Sequence, residues 1–382
     1  MKPDVLIVGA GLIGCACAYS LAKRGLRVTV LEREDLASGA SGACDGHVCC
    51  QSKAPGLHLD LARRSLCLYR TLSDDLDVET GFRECGSWMI AETAGEMDAL
   101  TAATQERRAS GLAVSLHPGA EIHAAEPILA ESLAGGSFCP ADGQTDPWRT
   151  TLAFHAAATP LGAEFRLGEA VLRLMVRGGR ALGVETPTGR RQAGAVLLAA
   201  GAWTADLCAP LGIELPVRPR RGEILVTEPM PPMLSSIVLH APYTAEKFDA
   251  EGERPATLVL EQLGDGNLML GSTRAYSGLD IRNTPAGLAS IAAEARRLAP
   301  GLAGLHIIRS FSGLRPASPD GLPLVGPFPG AEGLFVATGH EGDGVALAPV
   351  TGEIVAEGLT RGDWVEGLLP ERFHAHLRVP TA

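Results

Sequence analysis

The apolar run Val5-Leu6-Ile7-Val8 leads directly into glycines at positions 9, 11 and 14, and this arrangement restricts the start of the chain to very few folds. A continuous apolar run bounded by glycine reads as a strand buried on both faces of a parallel sheet. Leu12 to Arg24 is rich in Ala and Leu and free of proline, so it reads as a helix crossing back over that sheet. Val28-Thr29-Val30-Leu31 then gives a second strand ending at Glu32. In this context Gly9 permits the tight turn, Gly11 lets backbone approach a pyrophosphate, and Gly14 lets helix and strand pack closely. The helix start, with Leu12 and Ile13, favours negative charge. Glu32 lies 18 residues past Gly14, where a carboxylate can accept hydrogen bonds from a ribose diol. The prediction is a dinucleotide site; the alternative is glycines serving only a tight turn, with Glu32 a solvated strand-end charge.

Hydropathy alone would read the uncharged stretch from Val5 to Ala22 as a signal peptide or membrane helix. The glycines argue against it, as do Lys23 and Arg24 closing the helix, Gly25 beyond it and the strand that follows at once. No membrane span is expected.

A chain of 382 residues exceeds what one core usually holds, so two domains are expected. With 46% hydrophobic and 20% charged residues and 46 glycines, the composition is that of a folded, turn-rich α/β protein. The net charge of −11 and the absence of a Lys/Arg-rich block exclude a nucleic-acid partner. Nine cysteines, an odd number without scaffold spacing, fit a reducing compartment, and the expected location is the cytoplasm. Cys44, Cys49 and Cys50 flank His47 and suggest a metal or redox site, but adjacent Cys49 and Cys50 cannot easily face one ion. Small buried side chains are the better reading, and no metal is expected.

Leu57, Leu61, Leu68 and Leu72 at spacings of four and seven predict a long amphipathic helix. From about Phe82 the pattern turns irregular, and a second α/β stretch begins near Trp148. It contains a helix to about Ala158, strand pieces at 164–165 and 171–175, a Gly178-Gly179 hairpin turn and a buried strand from Ala195 into Gly201. Between 215 and 311 the periodicity is mostly two, with one helix around 286–298, which is an antiparallel pattern. Leu334-Phe335-Val336-Ala337, Gly339 to Gly344 and an apolar segment to Ala356 return to strand, glycine loop and helix. The expected fold is α/β. A discontinuous Rossmann-like FAD-binding domain would comprise 1–80, 146–214 and 312–382, and an α+β substrate domain on an antiparallel sheet would comprise 81–145 and 215–311. A sheet interrupted early and resumed near the C-terminus suits FAD better than NAD.

Five motifs carry a more specific likeness: VLIVGAGLIG at the start, GASGACDGHV after the second strand, LLAAGAW at 197–203, GLRPASPDGLPLVG at 313–326 and ATGHEGDGVALAPVTG at 337–352. In this order they resemble the D-amino-acid oxidase superfamily, in the branch of glycine oxidase, sarcosine oxidase, D-hydroxyproline dehydrogenase and the flavin subunit of hydrogen cyanide synthase. The resemblance implies that Glu32 and Arg33 hold the adenosine ribose and that Ser38 and Ser41 lie at the pyrophosphate. It implies Gly46 and His47 beside the isoalloxazine, Val171 at the adenine, and Gly201 and Trp203 near the ribityl chain. His340, Glu341, Gly342, Asp343, Gly344, Val345 and Ala346 would wrap the pyrimidine edge, where a glycine loop entering a helix stabilises negative charge on reduced flavin. No cysteine matches the covalent attachment of sarcosine oxidases, so noncovalent FAD is expected.

Gly313-Leu314-Arg315-Pro316 contains the expected substrate anchor, since a guanidinium fork grips a carboxylate with two hydrogen bonds. Taken alone, Arg315 reads equally well as a structural ion-pair partner. Tyr243 and Gly342 are the other substrate-contact candidates, and the segment 242–255, with Lys247 and Phe248, is either a lid or a surface loop. The implied reaction is oxidation of a small amino or imino acid to an imine, with no protein nucleophile. The GACDGHV and GHEGDG variants resemble dehydrogenase members that work beside a ferredoxin-like [2Fe-2S] or second flavin subunit. The alternatives are a stand-alone O2-using oxidase, a 2-hydroxy acid dehydrogenase with His47 or His340 as base, and a noncatalytic electron-relay subunit.

Overall fold

Val5–Val8 (β1) sits inside a six-stranded sheet in the computed structural model, which describes residues 2–243, 256–373 and 377. The spatial order is Leu324–Pro327, Leu334–Thr338, Ala195–Leu198, β1, Val28–Leu31 (β2) and Glu164–Arg166. All neighbours are parallel except the first pair. Both neighbours of β1 are apolar strands, which is why its four residues are all buried and why the run is continuous rather than alternating. Leu12–Lys23 (α1) crosses one face and packs against the helices Pro147–Ala158 and Gly344–Arg361. The uncharged stretch that mimicked a membrane helix is therefore a strand, a turn and a buried helix. Among the described residues, no helix is long and apolar enough to cross a membrane.

The glycine turn is dictated by sterics. Gly9 has φ of 108°, and a Cβ there would lie 2.6 Å from the carbonyl oxygen of Ala199 on the neighbouring strand's loop. A Cβ on Gly14 would collide with the carbonyl oxygen of Gly9. Gly14→Ala is expected to push α1 off the turn, lowering stability by about 1–3 kcal/mol and weakening dinucleotide binding by about tenfold. Thermal melting and FAD titration of the apoprotein check this.

A second, eight-stranded sheet is drawn from residues 87–139 and 218–317. Its order is Ile307–Ala317, Arg218–Thr227, Leu268–Gly271, Val259–Gln262, Ile237–His240, Ser87–Ala91, Gly135–Cys139 and Ser115–Pro118. It is antiparallel except where Ile237–His240 pairs in parallel with Ser87–Ala91. One face, with Leu225, Leu258, Leu260, Leu268 and Leu270, covers the helix Pro285–Leu298. The other face carries Gly222, Ile224, Gly313 and Arg315, which line the cleft described below.

Several elements differ from expectation. The amphipathic segment is two helices, Leu57–Tyr69 and Leu72–Leu76, so the leucine spacing overran a break at Arg70 and Thr71. The strand expected at 171–175 is Arg173–Arg177, with Val171 left in the preceding loop. Arg218–Thr227 lacks the expected alternation, because six consecutive residues are buried between the two halves of the molecule. Within the stretch that looks irregular in sequence, Gly135–Cys139 is a strand in which bare Gly136 lets the Met89 carbonyl and Ile122 approach, to 2.6 and 2.7 Å from where a Cβ would lie.

Candidate active site

A cleft of about 300 Å³ runs from the glycine turn, along the edge between the two sheets, to the strand pair holding Arg315. At its first end Gly9, Gly11, Leu12 and Ile13 face the opening. Glu32 also lines it, with its carboxylate fixed by the turn itself: Oε2 accepts from the Ala10 N–H at 2.9 Å and Oε1 from the Glu34 N–H at 3.0 Å. Ser41 places its hydroxyl at the helix start, accepting from the Leu12 N–H at 2.9 Å, and α1 has no other side-chain cap. Arg33 stacks its guanidinium 4.1 Å from the Trp203 ring centroid, closing one wall beside Ser38 and Gly39. Val171 and Gly201 lie further along, and the Thr338 hydroxyl donates to the Gly201 carbonyl at 3.0 Å, joining the loops that follow two parallel strands.

Arg315 occupies the far end, half-buried on the strand Ile307–Ala317. Its Nη1 donates to the Thr273 carbonyl at 3.1 Å and its Nη2 to the Ser272 hydroxyl at 2.9 Å. These two contacts aim the fork and leave the Nε edge toward the cleft. A Cβ on Gly222 would collide with the guanidinium, so the glycine makes room for it. Gly342 marks the meeting point: a Cβ there would be 3.7 Å from both Arg315 Nε and Tyr243 Oη. Burial pushes the Tyr243 phenol up to about 12, so it remains a hydrogen-bond donor, and Arg274 lies 4.4 Å from its ring centroid. The structure thus brings Arg315, Tyr243 and Gly342 together. Lys247 and Phe248 lie outside the described residues.

The glycine-rich loop follows Thr338. His340, Glu341, Gly342, Gly344 and Val345 line the cleft, and Gly344–Arg361 points its N-terminus there. His340 is buried, and burial lowers it to about 4, with the Asp343 charge opposing. The Thr351 hydroxyl already donates to Leu347, so His340 Nε2, 3.1 Å away, must be the protonated nitrogen of a neutral ring. Asp343 and Ala346 turn inward instead. The Asp343 carboxylate meets Lys53 Nζ at 2.6 Å and His58 Nε2 at 2.8 Å, all three buried. Burial opposes the charge on Lys53, but the Asp343 carboxylate outweighs it and holds the ammonium above its ordinary value.

Gly46 and His47 stand behind the cleft wall formed by Cys44 and Asp45. Gly46 abuts the Thr145 carbonyl, and its N–H donates to Glu261 Oε1 at 3.0 Å. His47 Nε2 lies 3.3 Å from Glu261 Oε2, and Nδ1 lies 3.7 Å from Asp45. Burial, reinforced by Asp45, pushes Glu261 up to about 7, against the pull of His47, the Gly46 N–H and Arg83. Burial raises the thiols of Cys44, Cys49 and Cys50, so they are weak ligands and poor nucleophiles. Lys53, His58 and Glu261 escaped the sequence reading. Gly222 left a signal, a glycine inside a strand pattern, which marks close approach.

A strand–glycine turn–helix with a strand-end carboxylate, continuous with a cleft that ends at an arginine, is the arrangement of a dinucleotide-dependent enzyme. The residues fit an FAD-sized ligand at both ends: a helix start and carboxylate for the nucleotide, and a glycine loop before an 18-residue helix for the ring. Residues 4–358 match the family described as FAD dependent oxidoreductase (DAO), and the chain belongs to that family. It is 33% identical to glycine oxidase of Geobacillus kaustophilus, over 98% of this chain and 97% of that protein. It is 29% identical to hydrogen cyanide synthase subunit HcnC of Pseudomonas protegens, over 92% and 91% of the two chains. Among solved structures, L-proline dehydrogenase from P. horikoshii superposes with a TM-score of 0.89 at 25% identity, covering 99% of each chain. The resemblance drawn from the five motifs holds, as do the fold class and the FAD cofactor.

Proposed function

We propose that this chain oxidises a small amino or imino acid, gripping its carboxylate with Arg315 and placing its C–H at the ring end of the cleft. The observation that carries this reading is the convergence of Arg315 Nε, Tyr243 Oη and Gly342 at one point. Bound FAD supplies the hydride acceptor. The residues of the chain supply position and charge: Arg315 fixes the carboxylate, Tyr243 donates to it or to the amine, and the loop from His340 to Val345 cradles the ring. Glu32, Arg33, Ser38, Ser41, Val171, Gly201 and Trp203 hold the nucleotide half noncovalently. Relatives named for glycine and proline oxidation, and a structural neighbour named iminodiacetate oxidase, support the substrate class.

A 2-hydroxy acid needs a base for its hydroxyl proton. His340, neutral and turned to Thr351, is a poor one, and what favours the amine is the naming of the relatives and neighbours for amino- and imino-acid oxidation. For the electron acceptor we favour a partner protein over O2, on the sequence variants noted above and the likeness to a protein named as a subunit. Anaerobic mixing of the yellow protein with glycine, sarcosine, proline isomers, D- and L-amino acids and opines is expected to bleach the flavin with one class. Admitting air is expected to restore the colour slowly and yield little peroxide. Bleaching only by 2-hydroxy acids would refute the substrate reading, and rapid peroxide formation would refute the acceptor reading.

A further inference from the structure

Glu261 stands out on the sheet face turned to the cleft. In register its neighbours on that face are Met269 and Val226, and Val259, Gly271 and Ile224 lie one step along. The site cations on that face, Arg220 and Arg315, lie on the outer strand pair, while Glu261 is only 1% exposed, between Val259 on its own strand and Met269 on the next. Its Oε1 is satisfied by the Gly46 N–H. Its Oε2 has no hydrogen bond among the described residues, nor has His47 Nε2, and these two buried atoms face each other at 3.3 Å. His47 in turn has Nδ1 facing Asp45, which lines the cleft. A carboxylate meant only to anchor a backbone N–H needs no second oxygen aimed at an imidazole.

We propose that His47 and Glu261 form a buried proton acceptor behind the substrate site, taking by way of Asp45 the proton that a substrate ammonium must lose before its C–H can leave as hydride. The inference rests on the amino-acid reading above. The ammonium N–H bond breaks, its electron pair stays on nitrogen, and the proton comes to rest between His47 Nε2 and Glu261 Oε2. The amine is then neutral without a proton released to water. His47 and Glu261 act through Asp45 and are positioning residues for the amine. The charged and titratable groups facing Glu261 are His47, Asp45 and Cys44 from the loop, with Arg83 and Cys85 from the segment beside it. The carboxyl group, pushed up to about 7, accepts a proton only once ionised, so acceptance is lost as pH falls below that value.

Glu261→Gln keeps the oxygen that accepts from Gly46 and removes the titrating group, so a purely structural role survives it. Infrared titration of the holoprotein is expected to show a buried carboxyl group ionising near neutrality in the wild type and missing from E261Q. In anaerobic stopped-flow with the amino acid that bleaches the flavin, E261Q is expected to lose about 100-fold in reduction rate near neutral pH. Its rate recovers as pH approaches the ammonium pKa of the substrate, and His47→Asn shifts the profile the same way. A wild-type pH profile in E261Q, a loss equal at every pH, or no carboxyl titrating near neutrality would each overturn the proposal. A flavin bleached by no amine would instead fault the substrate reading, and the source of the proton with it.

Discussion

Arg315→Met is expected to abolish useful turnover while the protein stays yellow. The guanidinium is held by the Thr273 carbonyl and the Ser272 hydroxyl, both just after a strand of the eight-stranded sheet, so its loss leaves the glycine-turn end of the cleft untouched. Removing one partner of a desolvated charge pair costs about 3 kcal/mol, roughly a hundredfold in kcat/KM. The loss should be concentrated in substrates bearing a carboxylate. Arg315→Lys should recover only part, because an ammonium cannot reproduce the planar fork. Steady-state kinetics with flavin content measured on the same preparation checks both points. An unchanged rate would favour a chain that only relays electrons.

Lys53→Met should have the second-largest effect, on stability and flavin retention. It takes the ammonium away from the buried Asp343 carboxylate, directly before the helix whose N-terminus faces the cleft. Breaking a buried pair from one side costs about 3–5 kcal/mol, because the remaining charge cannot be solvated. Thermal melting should fall by several degrees, and FAD should dissociate more readily on dilution. The double variant Lys53→Met with Asp343→Asn should recover much of the loss by removing the buried charge that the ammonium balanced. A double variant as damaged as the two single losses combined would mean that the network acts through shape and not through charge balance.

The split between what the sequence revealed and what it hid follows sequence separation. The glycine turn and Glu32 were legible because their meaning is local: Gly9, Gly14 and the carboxylate act within one strand–helix–strand unit, and the Ala10 N–H to Glu32 bond spans only 22 residues. Arg315 was legible through its motif, although its two anchors sit more than 40 residues away. Glu261 and Lys53 were not legible. A glutamate in an apolar strand and a lysine in a glycine- and proline-flanked loop read as surface residues. What buries them is a partner distant in sequence: Gly46 meets Glu261 from 215 residues away, and His58, which shares Asp343 with Lys53, meets that carboxylate from 285 residues away. Gly135–Cys139 was missed for a related reason, since glycine marks a turn locally and a close approach only once the opposing strand is in place.

The account depends most on the cleft between the two sheets holding FAD without a covalent link. Acid precipitation of the purified protein, followed by chromatography of the supernatant, tests this directly. The expected result is a yellow protein that releases FAD in stoichiometric amount and leaves a colourless pellet. A colourless protein that takes up no FAD when it is supplied would contradict the account.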